Sequence, residues 1–319
     1  MIVTLTMNPS IDRTATLPAP LQVGGVNRIA EMDDSPGGKG INVARVVAAG
    51  GTPTRAVFPA EPEDQFVAMC VATGVSTAVV STGGAVRVNL TVVDSDGTTT
   101  KINAPGPELG AAASDRARDT VVHLAREADW VVLCGSLPRG VPDHFYADLV
   151  AGLRGAGARV AVDTSDAPLA ALAARFPDAA PDLIKPNGEE LGQLAGTDGA
   201  ELERRAAAGD LAPVVEAARA LCAGGLGAAL VTLGGAGAVL VDDDEAWFAG
   251  SPQVRVRSTV GAGDSSLAGY LLAESRGLPP ADRLVWAVNH GSVAASLPGT
   301  GLPLGLDPAT FTTLPRRLD

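Results

Sequence analysis

The chain has 319 residues, of which 46% are hydrophobic, so it can bury a large core. It is acidic, with 36 Asp and Glu against 24 Lys and Arg and a formal net charge of −12. This charge argues against nucleic-acid binding through the overall electrostatic field, although it leaves room for a local basic pocket that binds an anionic metabolite.

The N-terminal residues Met1 to Pro9 lack a basic region and a cleavage site, and they read as a first strand, not as a signal peptide. The longest membrane-span candidate, residues 228–241, is interrupted by glycines. Cys70, Cys134 and Cys222 are scattered without a CxxC spacing. We therefore expect reduced core thiols in a cytoplasmic protein.

Two early regions, at about 11–35 and 86–104, carry short strand patterns that do not alternate with helices. The second contains Asp94-Ser95-Asp96-Gly97 between alternating residues, which predicts a hairpin. We interpret these strands as a small β-lid inserted in a single domain that spans residues 1–319. The exposed apolar face of such a lid could pair two subunits, and an ordinary surface hairpin is the alternative.

Between these regions lies a glycine-rich segment, Pro36 to Arg45, that opens a helix. Gly37 and Gly38 permit close backbone approach, Lys39 adds a point charge, and Asn42 adds an amide one turn later. Such a loop suits a pair of sugar hydroxyls or a phosphate, with a purely structural turn as the alternative. It lacks the Walker A pattern, and the first strand leads to no GxGxxG sequence.

The middle of the chain alternates apolar strands with helical stretches, which predicts a parallel sheet covered on both faces. The predicted strands cover 130–134, 159–163, 183–185 and 228–232, and the predicted helices cover 143–155, 212–222 and 281–297. Ligands bind at the carboxyl ends of such strands, where Ser136, Asp163, Lys185 and Gly234 lie. Residues 197–211, rich in Ala and Gly, read as a surface insertion.

Near the C-terminus, Gly261-Ala262-Gly263-Asp264 precedes an apolar run, which predicts a loop that opens a helix with Asp264 in its first turn. The backbone N–H groups of a helix start lack internal partners and favour an anion. A carboxylate beside such a cradle is what phosphoryl transfer requires, a base for the attacking hydroxyl and donors for the transferred group. On these residues alone, an Asp that only caps a helix is an equal alternative.

In combination, these motifs resemble the ribokinase superfamily of carbohydrate kinases, and within it the phosphofructokinase B group. The resemblance runs from Asn8 to about Gly301. It rests on 8–12 (NPSID), 36–44 (PGGKGINVA), 88–91 (VNLT), 135–138 (GSLP), 185–190 (KPNGEE), 232–234 (TLG) and 261–264 (GAGD). It implies a three-layer α/β/α sandwich with a mostly parallel central sheet and a small β-sheet lid, often paired lid to lid in a homodimer.

The resemblance also implies roles on the acceptor side. Asp264 matches the catalytic base, and Gly261, Ala262 and Gly263 match the anion hole. The sugar-phosphate contacts match Asp12, Gly37, Gly38, Lys39, Asn42, Arg87 and Ser136. Arg87 would clamp the substrate phosphate with its planar fork. Arg139 could reach the phosphate as well, or be an ordinary surface arginine.

On the nucleotide side, the resemblance implies ATP and Mg²⁺. Lys185 would approach the phosphates, and Asn187 and Glu190 would organise Mg²⁺ and its waters. Thr232, Gly234 and Gly237 match the turn beneath the nucleotide. Ser258 and Val260 match positions where the family often holds a monovalent cation such as K⁺.

The implied activity is ATP-dependent phosphorylation of a sugar phosphate, with D-fructose 1-phosphate as the first candidate because of the Gly-Gly-Lys-Gly form of the first motif. Tagatose 6-phosphate and fructose 6-phosphate stay open as substrates. Lys39 and Arg87 disfavour an acceptor without phosphate, such as a nucleoside. A sugar-phosphate sensor without catalysis is the alternative from another class. The segment 59–64 departs from the family, with Ala60 where Gly is usual and more acids, which leaves the substrate preference open.

Overall fold

A ten-stranded sheet forms the centre of the computed structural model, which describes residues 1–307, 310–311 and 313–318. Its strand order is β14-β13-β12-β11-β10-β9-β8-β1-β4-β5. Neighbours from β5 to β11 are parallel, and β11 to β14 are antiparallel. The strands are β1 Ile2–Thr6, β4 Thr54–Pro59, β5 Ser76–Val80, β8 Trp130–Cys134, β9 Arg159–Asp163, β10 Leu183–Ile184, β11 Ala228–Thr232, β12 Ala238–Asp242, β13 Ala246–Ala249 and β14 Pro315–Leu318. The predicted mostly parallel sheet is confirmed.

A second sheet of four strands, which we call the lid sheet, is ordered β3-β2-β6-β7. Its strands are β2 Ser10–Thr16, β3 Glu31–Gly37, β6 Arg87–Val93 and β7 Thr99–Ile102. The pairs β2–β3 and β6–β7 are antiparallel, and β2–β6 is parallel. The hairpin predicted around 94–97 is therefore confirmed.

Helices cover both faces of the central sheet, which explains why strands such as β1 and β8 are buried at every position. The helices are α1 Lys39–Ala49, α2 Gln65–Ala72, α3 Ala111–Ala125, α4 Phe145–Leu153, α5 Asp166–Ala173, α6 Gly188–Ala195, α7 Gly199–Ala207, α8 Ala212–Ala223, α9 Ala262–Ser275 and α10 Pro280–Ser296. None of the described helices is long and apolar enough to cross a lipid bilayer.

The alternation of side chains along β1 divides the core into two layers. Val3 and Leu5 pack into the cluster that contains residues of α3, α4 and α8. Ile2 packs into the cluster beneath α1, α9 and α10. The helices that carry the glycine-rich motifs, α1 and α9, thus lie side by side on one face of the sheet.

Residues 197–211, interpreted as a surface insertion, are mostly exposed, but they also pack against the core. This stretch contains α7, and its Leu202 and Ala206 are 3% and 4% exposed within the main core. The Ala-rich composition conceals the helix because alanine fits an exposed and a packed helix face equally well.

Candidate active site

Chemically active residues meet where parallel strands of the central sheet end. Gly135 follows β8, Asp163 ends β9, Lys185 follows β10 and Thr232 ends β11. Because these strands are neighbours in one parallel sheet, their carboxyl ends bring the four positions to one edge.

The predicted helix start carries Asp264 to this edge. Gly261 caps α9 with a φ of 74°, a left-handed conformation that suits glycine. Asp264 lies in the first turn and is only 7% exposed. The residue at the cap position is Gly261, and the Asp264 carboxylate points to α1, where its Oδ2 accepts a 2.8 Å hydrogen bond from Nδ2 of Asn42. The helix-cap interpretation of Asp264 is therefore not supported by its contacts.

Two lysines converge on Asp163, which is buried at the end of β9. Lys39 Nζ lies 2.8 Å from Oδ1, and Lys185 Nζ lies 3.4 Å from Oδ2. Lys185 also approaches the start of α9, since a Cβ placed on Gly263 would lie 3.1 Å from its Nζ. The two ammonium groups therefore stand beside the backbone cradle of α9, where an anion would be stabilised.

The charges in this cluster set the proton affinities of its two carboxylates. Burial and the nearby charge of Asp163 raise the pKa of Asp264 to about 6, against the lowering effects of Lys39 and Asn42. Burial alone would raise the pKa of Asp163 too, but Lys185 and Lys39 hold that pKa below its ordinary value. The buried carboxylate of Asp264 is thus the one poised to take up a proton near neutral pH.

A cavity of about 670 Å³ opens from this cluster along α9 and α10. It is lined by the predicted residues Lys39, Lys185, Asn187, Glu190, Thr232, Gly234, Gly237, Gly261, Ala262, Gly263 and Asp264. Glu203 of α7 lines it as well, although no sequence motif predicts that residue there. One wall is therefore cationic and rich in glycine, as a site for a polyphosphate requires.

Asn187 and Glu190 form a reciprocal capping box at the start of α6. Asn187 Oδ1 accepts from the Glu190 N–H at 2.7 Å, and Glu190 Oε2 accepts from the Asn187 N–H at 2.9 Å. The box fixes both side chains at the wall of the cavity and leaves Oε1 of Glu190 outside the capping bonds.

The turn between β11 and β12 forms another part of the wall. Gly234 and Gly237 have positive φ values of 54° and 122°. A Cβ on Gly237 would lie 2.1 Å from the carbonyl oxygen of Ala249, so only glycine fits there. Thr232 is bridged to Asn187, which places this turn next to the start of α6.

The lid sheet presents a polar face that carries Asp12. In the strand register Asp12 pairs with Asn89 and Ser35, so the three side chains share a face. Asp12 Oδ1 accepts hydrogen bonds from Ser10 Oγ at 2.7 Å and from Asn89 Nδ2 at 3.1 Å. A Cβ on Gly37 would lie 2.2 Å from Asp12 Oδ2, so glycine is needed beside this carboxylate.

Gly38 completes the turn into α1. It has a φ of 117°, and a Cβ there would lie 2.7 Å from Cγ2 of Thr6. The glycine pair therefore lets the chain pass closely over the end of β1 before α1 begins at Lys39.

Arg87, at the start of β6, lies on the same face as Asp12 and is half-buried where the chain enters the lid sheet. Its guanidinium donates to the carbonyl oxygens of Ala104 at 2.8 Å and Asn8 at 3.1 Å. Its Nε is buried and has no hydrogen-bond partner among the described residues. Asn8 also donates to Ser136 Oγ at 3.4 Å, which brings Ser136 to this group.

Three predicted residues contact neither the cluster around Asp264 nor the residues around Asp12 and Arg87 on the lid sheet. The side chain of Arg139 is exposed and forms no hydrogen bond or ion pair with any residue that the structure describes. Ser258 and Val260 contact each other through a 3.2 Å bond from the Val260 N–H to Ser258 Oγ, but they do not line the cavity, whereas Thr259 between them does.

Two further residues have contacts that sequence reasoning did not assign. The sequence places Asp163 at the end of a predicted strand but does not indicate its two lysine partners. Asn89 carried no role, although its spacing of two residues from Arg87 in a strand already places it on the same face. That spacing was the usable signal.

The described residues contain no group of three or more His, Cys, Asp or Glu side chains that could hold a metal ion by themselves. Glu190 lines the cavity, where its carboxylate could share a cation with ligand oxygens and water.

Comparisons with known proteins agree with this geometry. The chain is 40% identical over 299 residues to a 1-phosphofructokinase of Rhodobacter capsulatus, which covers 92% of this chain and 90% of that protein. Crystal structures of Escherichia coli phosphofructokinase-2 align with a TM-score of 0.83 and 94% coverage of both chains. One, in complex with substrates and products, is 30% identical, and another, in complex with potassium, is 28% identical.

These neighbours confirm the ribokinase-like arrangement of a mostly parallel central sheet with a small second sheet. The family profile described as pfkB family carbohydrate kinase matches residues 5–305, nearly the whole chain. This chain therefore belongs to the pfkB family of carbohydrate kinases.

Proposed function

We propose that this enzyme transfers the γ-phosphoryl group of ATP to the 6-hydroxyl of D-fructose 1-phosphate, giving fructose 1,6-bisphosphate and ADP. The observation that carries the proposal is the position of Asp264. Its buried carboxylate lies at the wall of the cationic cavity and accepts a hydrogen bond from Asn42 of α1, the helix that the glycine-rich segment opens. The curated relative from Rhodobacter capsulatus carries the name 1-phosphofructokinase and matches nearly the whole chain.

In the proposed reaction Asp264 is the general base. Its carboxylate accepts the proton of the 6-hydroxyl while that oxygen forms a bond to the γ-phosphorus of ATP. The bond between this phosphorus and the bridging oxygen breaks, and ADP departs with the electron pair. The pKa of about 6 leaves Asp264 mostly ionised at neutral pH and still basic enough to take the proton.

The anion hole is assigned to the backbone N–H groups of Gly261, Ala262 and Gly263. Groups at a helix start point outward without internal partners, so they can bind the oxygens of the transferred phosphoryl group. Lys185, which lies beside Gly263, supports this role because it adds a positive charge where negative charge accumulates.

The acceptor is assigned to the polar face of the lid sheet. Asp12 suits the sugar hydroxyls, since a carboxylate accepts their hydrogen bonds, and Ser10 and Asn89 hold it in place. Arg87 is assigned to the substrate phosphate, because its buried Nε has no hydrogen-bond partner in the part of the chain that the structure describes. Gly37, Gly38 and Ser136 complete this side, while no contact of the exposed Arg139 with the described residues supports its assignment.

Mg²⁺ is assigned to Glu190 and Asn187 through water and ATP oxygens. The residues fit, because the capping box leaves Oε1 of Glu190 for a cation or its water. When bound, Mg²⁺ neutralises phosphate charge in the nucleotide.

For a monovalent cation we propose K⁺ near Ser258 and Val260, an assignment that the potassium complex of Escherichia coli phosphofructokinase-2 supports by analogy.

We also propose a homodimer formed through the outer face of the lid sheet. On this face, opposite Asp12, lie Met32, Val88 and Ile102, which are 52%, 38% and 58% exposed. Exposed apolar side chains that share one sheet face are typical of a protein interface.

The three cysteines are free and buried, which supports the cytoplasm as the compartment.

The decisive experiment compares sugar phosphates in an ADP-release assay. Fructose 1-phosphate, fructose 6-phosphate and tagatose 6-phosphate are each titrated at saturating ATP, and kcat/KM is measured. We expect the highest kcat/KM for fructose 1-phosphate. A higher value for one of the 6-phosphates would reassign the substrate within the same chemistry. Binding of a sugar phosphate without ADP release from any of them would favour a sensor.

A further inference from the structure

The acid-rich segment after β4 departs from the family pattern, and its contacts indicate what it does. The chain passes between the central sheet and the lid sheet four times, after β1, β3, β5 and β7. The third crossing, residues 81–86, leads from β5 directly to Arg87. Glu61 and Asp64 lie against this crossing and contact its backbone.

Glu61 holds the beginning of the crossing. Its Oε1 accepts hydrogen bonds from the backbone N–H groups of Thr82, at 2.7 Å, and Gly83. Both carboxylate oxygens lie 2.9 Å from Oγ of Ser81. The backbone bonds from Gly83 and Thr82 hold the pKa of Glu61 below its ordinary value, so the charged acceptor persists at neutral pH.

Asp64 holds the end of the crossing. Its Oδ2 accepts from the Val86 N–H at 2.9 Å, while Oδ1 accepts from the Phe66 N–H at 2.8 Å and caps α2. Val86 is 8% exposed in the cluster that includes Phe66. The residue immediately before Arg87 is therefore fixed by one hydrogen bond and by packing.

The position of this crossing contributes to where the Arg87 guanidinium stands, because residue 86 precedes Arg87 directly. That guanidinium bonds to carbonyl oxygens of two other crossings, Asn8 after β1 and Ala104 after β7. Pairing with Ser10 in the lid sheet holds the Arg87 backbone on one side, and the third crossing holds it on the other. If the third crossing lost its hydrogen bonds to Glu61, it would adopt further conformations, and in these the guanidinium of Arg87 would be displaced.

We infer that Glu61 is a positioning residue for Arg87, and that Glu61 and Asp64 together set the affinity for the sugar phosphate by holding the third crossing. The inference rests on the proposed role of Arg87 in substrate binding. If only a fraction of the molecules hold Arg87 in place, the apparent affinity for the phosphate falls to that fraction of its intrinsic value. The rate of phosphoryl transfer from ATP to the hydroxyl, for which Asp264 is the proposed base, is left unchanged.

Glu61→Ala tests the inference, with Glu63→Ala as the matched control. Glu63 lies in the same segment, is exposed and forms no hydrogen bond or ion pair with any described residue. For Glu61→Ala we expect KM for fructose 1-phosphate to rise about tenfold, with kcat and KM for ATP within about twofold of the wild type. Glu61→Gln keeps an oxygen acceptor and should restore most of the affinity. An unchanged KM, or a fall in kcat alone, would overturn the inference.

A double-mutant cycle separates positioning from a general structural effect. If Glu61 acts through Arg87, adding Glu61→Ala to Arg87→Ala should raise KM no further. Full additivity of the two changes in log KM would show that Glu61 acts elsewhere. Asp64 is unsuited to this cycle because its replacement would also remove the cap of α2.

Amide hydrogen exchange tests the anchor without any turnover. The Thr82 and Gly83 amides should exchange at least tenfold faster in Glu61→Ala than in Glu63→Ala. Equal rates would refute the anchor even if KM had changed. If the wild type phosphorylated none of the three sugar phosphates, the proposed function would fail, while this measurement would still decide whether Glu61 holds the crossing.

Discussion

Nδ2 of Asn42 donates a 2.8 Å hydrogen bond to Oδ2 of Asp264 and thereby joins α1 to the start of α9. This bond favours the ionised carboxylate and lowers its pKa, against burial and the charge of Asp163. Asn42 therefore acts on the proposed base itself, in addition to any contact with the sugar.

The contact predicts a shift in the pH profile. Because Asp264 must be ionised to accept a proton, kcat should fall as the pH drops through about 6. Asn42→Ala removes a bond that lowers this pKa, so the acidic limb should move to higher pH. The phosphate of the substrate also titrates near this pH, but its pKa is the same for both enzymes, so the difference between their kcat profiles isolates the protein group. Coincident limbs would contradict the assignment.

Asp264→Asn should remove the base and keep the site. We expect kcat to fall by about 10²- to 10⁴-fold, as the loss of a general base typically does. ATP and fructose 1-phosphate should still bind, because the cationic cavity and the lid face are untouched, and titration calorimetry of each ligand would measure this. Turnover close to that of the wild type would rule out Asp264 as the base.

Arg87→Ala should act on the acceptor. The loss of a charged hydrogen bond to phosphate is worth about 1.5–3 kcal/mol, so KM for the sugar phosphate should rise by about 10- to 150-fold. KM for ATP should stay unchanged, since Arg87 does not line the large cavity. A rise in the KM for ATP alone would mean that the two substrates are placed the wrong way round.

Asp163→Asn should destabilise the fold at neutral pH. The side chain of Asp163 is fully buried between Lys39 and Lys185, and Asn leaves both ammonium groups without their counter-ion. Breaking a buried pair costs about 3–5 kcal/mol; we expect about 3, because the Lys39 side chain is 35% exposed. Urea unfolding at pH 7 measures the difference, with the exposed Asp243→Asn as control.

The pH dependence of that difference has a definite sign. The lysines hold the pKa of Asp163 below its ordinary value. Its stabilising effect is therefore full above the unfolded-state pKa of about 3.9 and is lost as the pH falls through the lower folded-state value. The gap between wild type and Asp163→Asn should consequently narrow in acid. A gap that widened in acid would contradict the ion-pair explanation.

The sequence predicts those structural features that are set by residues close together in the chain, such as helix starts and strands. Glycines before an apolar run predict Asp264 at a helix start, and short apolar runs between helical stretches predict the parallel strands. The partners of Asp163 could not be predicted in the same way, because Lys39 is 124 residues away in the chain and only the strand order brings them together. Likewise, nothing in the segment 59–64 indicates that Glu61 would bond to residues beyond the next helix.

The outer face of the lid sheet gives the last prediction. Ile102→Glu places a charge on the apolar face, so it should dissociate the proposed homodimer and lower the mass measured by light scattering after gel filtration. Val71→Glu is the matched control, because Val71 is 59% exposed, close to the 58% of Ile102, but lies on α2 outside the lid sheet. It should leave the mass unchanged. A wild type that is monomeric at every concentration, or an Ile102→Glu variant that stays dimeric, would refute the interface, since burying an unpaired charge in it would cost several kcal/mol.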